Sequence, residues 1–91
     1  MQVIGHLTDK GILMIDGAAK GEVTYDITVY QDKSFKSAAG TLEGSMNVIV
    51  DAFNAGKPQL RLHDGQVIDI ILRETRGEHA TIQVSGPISG F

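Results

Sequence analysis

The sequence predicts one mainly β domain, a small antiparallel meander or barrel of about seven strands with one short α-helix at about 46–55. Three observations predict this fold. Apolar and polar residues alternate with period two, glycine-ended turn signals separate apolar runs, and one stretch has helical spacing. With 91 residues, the chain has room for one core, so we assign 1–91 to a single domain.

The clearest strand signal lies between Glu22 and Val29, where apolar and polar residues alternate strictly. Period-two alternation puts one face of a strand in the core and the other in water, as is typical of antiparallel sheets. The predicted inward residues are Val23, Tyr25, Ile27 and Val29.

Three tripeptides that end in glycine predict hairpin loops at 9–11, 63–65 and 75–77. Glycine adopts the left-handed conformation that closes a three-residue hairpin loop. The loop at 75–77 pairs Ile70 with Ile82, whereas a two-residue loop would mix the faces and bury Asp69. By the same parity, the loop at 9–11 pairs Leu7 with Leu13, and that at 63–65 puts Leu60 and Leu62 on one face with Ile68 and Ile70. The predicted strands are 2–8, 12–16, 22–30, 35–43, 59–63, 66–74 and 78–85.

The helix is predicted between the fourth and fifth strands. Its apolar residues, at i, i+3, i+4 and i+7, are Met46, Ile49, Val50 and Phe53. Ser45 is placed to cap the first turn, Gly56 to end the helix in a left-handed conformation, and Pro58 to prevent its continuation. The β-branched residues at 47–50 favour a strand instead, but the signals at both ends favour the helix.

Closure into a small barrel would remove the two free edges of a seven-stranded sheet. Gly5, Gly40 and Gly44 offer places for the bends that closure requires. An open sheet with the helix across one face is the alternative. The tail at 86–91 is predicted to fold back, with Ile88 and Phe91 as anchors.

Composition argues against several classes of function. The formal charge is −3 and the basic residues are scattered singly, so we expect no nucleic-acid or anionic-membrane partner. No apolar run approaches the ~20 residues that span a bilayer. The chain has no cysteine, which excludes disulfides and cysteine-ligated metal centres. The first residues lack a signal-peptide pattern, so we expect a cytoplasmic location.

His63 and Asp64 are the most suggestive polar pair, because a carboxylate beside an imidazole can support acid–base chemistry. The alternative, which we favour, is that Asp64 hydrogen-bonds the backbone of its own turn and His63 is solvated. His6 and His79 lack metal-ligand spacing to another histidine, so no metal and no cofactor are expected. The glycines around Thr41 resemble an anion-binding loop before a helix, but structural bending is the favoured role.

Outward-facing apolar residues are more informative than these polar ones. The predicted registers put five of them on the nominally wet face: Ile4, Ile12, Met14, Val67 and Ile71. Contiguous exposed apolar surface marks a partner or ligand site, unless the helix, the tail or sheet curvature covers it.

Three hypotheses for function follow. The leading one is a non-catalytic binding or assembly module that associates with itself, as a homodimer or higher oligomer, or with another protein. The second is a small-ligand barrel whose mouth lies near the helix, lined by Tyr25, Leu42, Met46 and Phe53. The third is an enzyme that uses His63, Asp64, Arg61 or His79.

Overall fold

The computed structural model describes residues 2–86 and 88, which form a closed six-stranded antiparallel barrel with one helix. The predicted fold class is therefore confirmed, and the open-sheet alternative is wrong. The elements are β1 (Gln2–Ile15), β2 (Ala18–Asp32), β3 (Phe35–Gly44), α1 (Met46–Asn54), β4 (Pro58–Arg61), β5 (Val67–Arg76) and β6 (His79–Ser85).

The strand order around the barrel is β1-β2-β3-β6-β5-β4, and β4 pairs back onto β1 over Ile12–Ile15. Two three-stranded meanders, β1–β3 and β4–β6, are thus joined by α1. Every neighbouring pair is antiparallel. No helix among the described residues has the length and apolar character needed to cross a bilayer.

The core follows the predicted period-two pattern. In β2 the four predicted inward residues are buried, while Glu22, Thr24 and Asp26 are exposed. Ile70 and Ile82 both lie in the core, so the two strands keep their apolar residues on one surface. Leu60 pairs with Ile68, which confirms the parity predicted for the loop at 63–65.

The predicted hairpin at 9–11 is wrong, because β1 runs unbroken through these residues. Leu7 pairs with Ile27 instead of Leu13. Gly11 is buried, and a Cβ there would lie 2.5 Å from the carbonyl oxygen of Arg61, so this glycine permits a close approach of strands and not a turn. The chain reverses later, at Asp16 (φ 52°) and Gly17 (φ 80°). Positive φ at both central residues is the type I′ hairpin turn, for which Asp-Gly is a preferred sequence.

The predicted loop at 75–77 is also wrong, because it gives β5 and β6 the wrong register. The prediction that Ile70 and Ile82 share the buried face is nevertheless correct. Gly77 and Glu78 form a two-residue turn, and Leu72 pairs with Ile82. A β-bulge between Leu72 and Glu74 adds one residue to β5 and restores the parity that the short turn would have broken. Asp69 therefore stays exposed.

The helix lies where it is predicted, but its ends are formed differently. The Ser45 side chain makes no capping hydrogen bond, and Gly56 does not have positive φ. Instead the Ile49 N–H donates to the Ser45 carbonyl, and the Ala55 N–H to that of Ala52. Of the predicted tail anchors, Ile88 is buried in the core, and Phe91 lies outside the described residues.

Candidate functional site

Helix α1 has a wider apolar surface than the barrel buries. It contacts β1, β3, β5 and β6, with Ile49 and Ala52 buried and Val48 packed against the core. At 3.6 residues per turn, these three side chains occupy one side of the helix. The remaining apolar side chains extend that surface beyond the part that packs on the strands.

Three exposed side chains form a continuous stripe along α1, which we call the helix stripe. The exposed fractions are 54% for Met46, 44% for Val50 and 48% for Phe53. Their spacing of four and then three residues is that of a coiled-coil seam. The sequence indicated that these residues are apolar and lie on one side of a helix, but it did not show that they face solvent.

The predicted outward residues are placed unevenly. Val67 and Ile71 are exposed on β5, the strand that α1 contacts most. Ile12 and Met14 are half-buried on the outer face of β1. Ile4 does not lie on the wet face as predicted, because the bulge between Val3 and Gly5 turns it against the core.

The outer face between these strands is mixed in character. Ile12 pairs with Arg61, which in turn pairs with Val67, so a guanidinium side chain separates two apolar ones. In the next row the Gln59 amide donates to the Asp69 carboxylate at 2.9 Å. The apolar residues on the β1–β4–β5 face are therefore less continuous than those on α1.

The free edge of β1 is a second possible contact surface, but it is protected. β1 pairs with β4 over Ile12–Ile15 alone, so Gln2–Gly11 has one edge without a strand partner among the described residues. The bulge after Val3 interrupts this edge near one end. Near the other end, the Asp9 carboxylate accepts the backbone N–H of Lys10 at 2.8 Å. Bulges and charges are devices that prevent edge-to-edge pairing.

The three histidines lie on separate parts of the surface, each near a carboxylate. The Asp26 carboxylate is 2.9 Å from His6, that of Asp9 is 3.7 Å from His63, and that of Glu43 is 3.8 Å from His79. All six side chains are largely exposed. Each pair joins two neighbouring segments on the outer surface of the barrel, and the three pairs are separate from one another.

The residues of the enzyme hypothesis are only partly brought together. Arg61 and His63 line one shallow depression, whereas His79 lies on β6 beside Glu43. The Asp64 carboxylate accepts the Gln66 N–H at 3.0 Å, as expected for a turn aspartate. Within 2–86 and 88, no three His, Asp or Glu side chains are grouped so that they could hold a metal ion.

The four residues predicted to line a ligand mouth near the helix do not surround a common space. Tyr25 and Leu42 are buried cross-strand partners, whereas Met46 and Phe53 face solvent on α1. The Tyr25 hydroxyl accepts the His63 N–H at 3.2 Å, away from the helix. Large side chains fill the barrel interior, among them Leu13 and Leu60 of the strands and Ile49 of α1.

A depression lies instead at the opposite end of β3 from α1, and we call it the end groove. Its volume is about 450 Å³. The described lining residues are Val29, Lys36, Ser37, Ala38, Gln83, Val84, Gly86 and Ile88. Sequence reasoning missed this groove, although Lys36 and Ala38 have the spacing of residues on one strand face.

No protein-family model, no curated protein and no solved structure matches the chain.

Proposed function

We propose that the chain is a non-catalytic binding or assembly module that forms a homodimer through the helix stripe. The supporting observation is that Met46, Val50 and Phe53, at helical spacing along one side of α1, are each about half exposed. Exposed apolar rows of this kind are typical of protein interfaces.

The size of the apolar surface sets the expected strength of the dimer. Full burial of such a side chain contributes ~1.5–3 kcal/mol, so half-exposed residues contribute roughly 1 kcal/mol each. Three from each copy give roughly 6 kcal/mol, which barely exceeds the smallest estimates of the ~4–15 kcal/mol cost of association. Val67 and Ile71 on the neighbouring strand must therefore contribute as well. With these two residues of each copy the gain is roughly 10 kcal/mol, so we expect a weak dimer with a dissociation constant on the order of tens of micromolar or higher.

A second copy of the chain is the partner that fits the helix stripe best. Two copies of α1 packed antiparallel about Val50 place Met46 of each copy opposite Phe53 of the other. A thioether beside an aromatic ring is a favourable contact. The one charged residue of α1, Asp51, is about 100–160° around the helix from these three side chains, so it lies outside the centre of the contact. A two-fold axis uses the same surface on both copies.

Sedimentation equilibrium over a micromolar to millimolar range tests this proposal. Val50→Glu puts a charge at the centre of the helix stripe, and we expect a monomer at every concentration. The matched control is Phe35→Glu, because Phe35 is 76% exposed at the β2–β3 turn and far from α1 in the chain. This control should dimerise like the unmodified chain. An unmodified chain that stays monomeric at millimolar concentration contradicts the proposal, as does equal loss of dimer in both variants.

A partner of another kind remains the alternative within the same hypothesis. An apolar helix from a different protein would use the same three side chains, and it would leave the isolated chain monomeric. The cytoplasmic location and the absence of nucleic-acid and membrane partners stay predictions from the sequence.

A further inference from the structure

We infer that the end groove binds a single-chain amphiphile with an anionic head, specifically a medium-chain fatty acid carboxylate. The groove combines an apolar floor with one cation at its rim. It lies away from α1, so this inference does not depend on the proposed dimer.

The floor of the groove belongs to the inner surface of the barrel. Val29 pairs with Ala38, and Ala38 pairs with Val84, so three adjacent strands contribute one row. All three residues are buried core members. Because Ala38 is small, the row leaves room where a larger side chain would fill the end of the barrel.

Gly86 and Ile88, which follow β6, form the other wall. Gly86 has φ +115°, a conformation that residues with a side chain rarely adopt. After this glycine, Ile88 is 7% exposed and belongs to the core cluster while also lining the groove. The groove is therefore apolar on its floor and on this wall.

Lys36 supplies the polar end of the site. Side chains two apart on a strand share a face, so Lys36 follows Ala38 on the surface that continues the barrel interior. It is the only charged residue among the described residues that line the groove. The β3–β6 ladder begins at Ala38, so Ser37 adds polar rim atoms beside Lys36.

This arrangement selects one class of ligand. A volume of about 450 Å³ lies within the usual range of ~300–1,000 Å³ for small-molecule sites. An alkyl chain suits the apolar floor, and a carboxylate suits the ammonium group of Lys36. A cationic head would be repelled by Lys36, and a neutral head would gain no charge-assisted contact.

The test titrates decanoate into ¹⁵N-labelled full-length chain, with decanol and decyltrimethylammonium as matched neutral and cationic probes. We expect decanoate to shift the amide signals of Val29, Ala38 and Val84, and to bind more tightly than either control. Lys36→Gln should weaken decanoate binding by roughly twofold to fivefold, the effect of losing one exposed charge contact. Lys33→Gln, on the same hairpin but outside the lining, should leave it unchanged.

Several results would overturn the inference. Equal binding of the three probes would indicate unspecific apolar adhesion. Equal weakening by Lys36→Gln and Lys33→Gln would show that general charge, not the groove, attracts the ligand. Decanoate binding that leaves the amide signals of Val29, Ala38 and Val84 unshifted would place the bound ligand outside the groove.

Discussion

Gly40 is the position where the backbone of the barrel has the least room for a side chain. It pairs with Ile27 on the inner face, and a Cβ there would overlap the carbonyl oxygen of Asp26. Gly56, by contrast, has no atom within 4 Å of its ideal Cβ position and has no positive φ. The two glycines therefore make a matched pair for measuring the cost of close strand packing.

We predict that Gly40→Ala lowers the free energy of unfolding by about 3 kcal/mol, because the strands must separate to admit the methyl group. Gly56→Ala should leave the stability unchanged or raise it by up to ~1 kcal/mol, through the lower entropy of the unfolded chain. Urea denaturation measures both values. A tolerated alanine at Gly40 would show that the bend between β2 and β3 is looser than described.

Tyr25 joins the barrel interior to the loop before β5. Its ring is buried and its hydroxyl accepts the His63 N–H. We expect Tyr25→Phe to cost about 1 kcal/mol, the usual net value of one hydrogen bond. Tyr30→Phe is the control, since Tyr30 is half-buried and its hydroxyl has no hydrogen bond to the described residues. Equal effects in thermal unfolding would contradict a specific role for the Tyr25 hydroxyl.

At the scale of elements, the bulge in β5 explains how β5 and β6 keep their apolar residues on one face although a two-residue turn joins them. Deleting Arg73 removes the extra residue and leaves Leu72 opposite Ile82 and Thr75 opposite Ala80. We therefore predict that the chain without Arg73 still folds. Deleting Ile71 should abolish cooperative unfolding: if the bulge is lost, Leu72 turns outward and Arg73 inward, and if the bulge is kept, the residues N-terminal to Ile71 move onto the opposite face. Circular dichroism during thermal unfolding distinguishes these outcomes, and equal tolerance of both deletions would contradict the described register.

The strand faces were predictable from sequence, whereas the bulges and the extent of β1 were not. Alternation shows which side chains share a face. A shift of the strand register by an even number of residues leaves those faces unchanged. Gly11 follows Asp9 and Lys10, as a glycine in a turn would. Its actual role is to allow close packing against the Arg61 backbone, and the local sequence does not show a contact with so distant a residue. The Asp16-Gly17 turn was visible in the sequence, since Asp-Gly is a strong hairpin signal.

The helix was predictable in position but not in which of its apolar residues are buried. Helical spacing identifies the apolar side of α1. How much of that side is buried depends on how β1, β3, β5 and β6 pack against it. Ile49 was predicted inward and is fully buried, but Val50 faces solvent. This difference is what makes the helix stripe a candidate interface.

Cysteine cross-linking tests the arrangement of two copies of α1. The chain has no cysteine, so an introduced thiol is the only one present. With Val50 at the two-fold axis, Val50→Cys should form a disulfide with itself under mild oxidation. Met46→Cys and Phe53→Cys should cross-link readily when mixed and poorly when separate. Val3→Cys, exposed on β1, is the control and should remain reduced. Fast oxidation of the control would indicate random collision.

At the scale of the whole molecule, the two ends of the barrel differ in structure. At one end, helix α1 contacts β1, β3, β5 and β6 and presents the helix stripe. At the other end, the end groove lies between β3 and the residues Gly86 and Ile88. The sequence predicted the class of fold and the exposure of two apolar residues on β5, Val67 and Ile71. It did not predict the end groove, because the groove depends on the positive φ of Gly86, on the placement of Ile88 and on the point where the β3–β6 ladder stops.

The most direct test of the dimer is an isotope-filtered NOE experiment on a sample that mixes labelled and unlabelled chains. We predict intermolecular contacts between the Met46 methyl of one copy and the Phe53 ring of the other, and between the two Val50 side chains. No intermolecular contact at concentrations where the chain sediments as a dimer, or contacts confined to Val3 and Phe35, would contradict it.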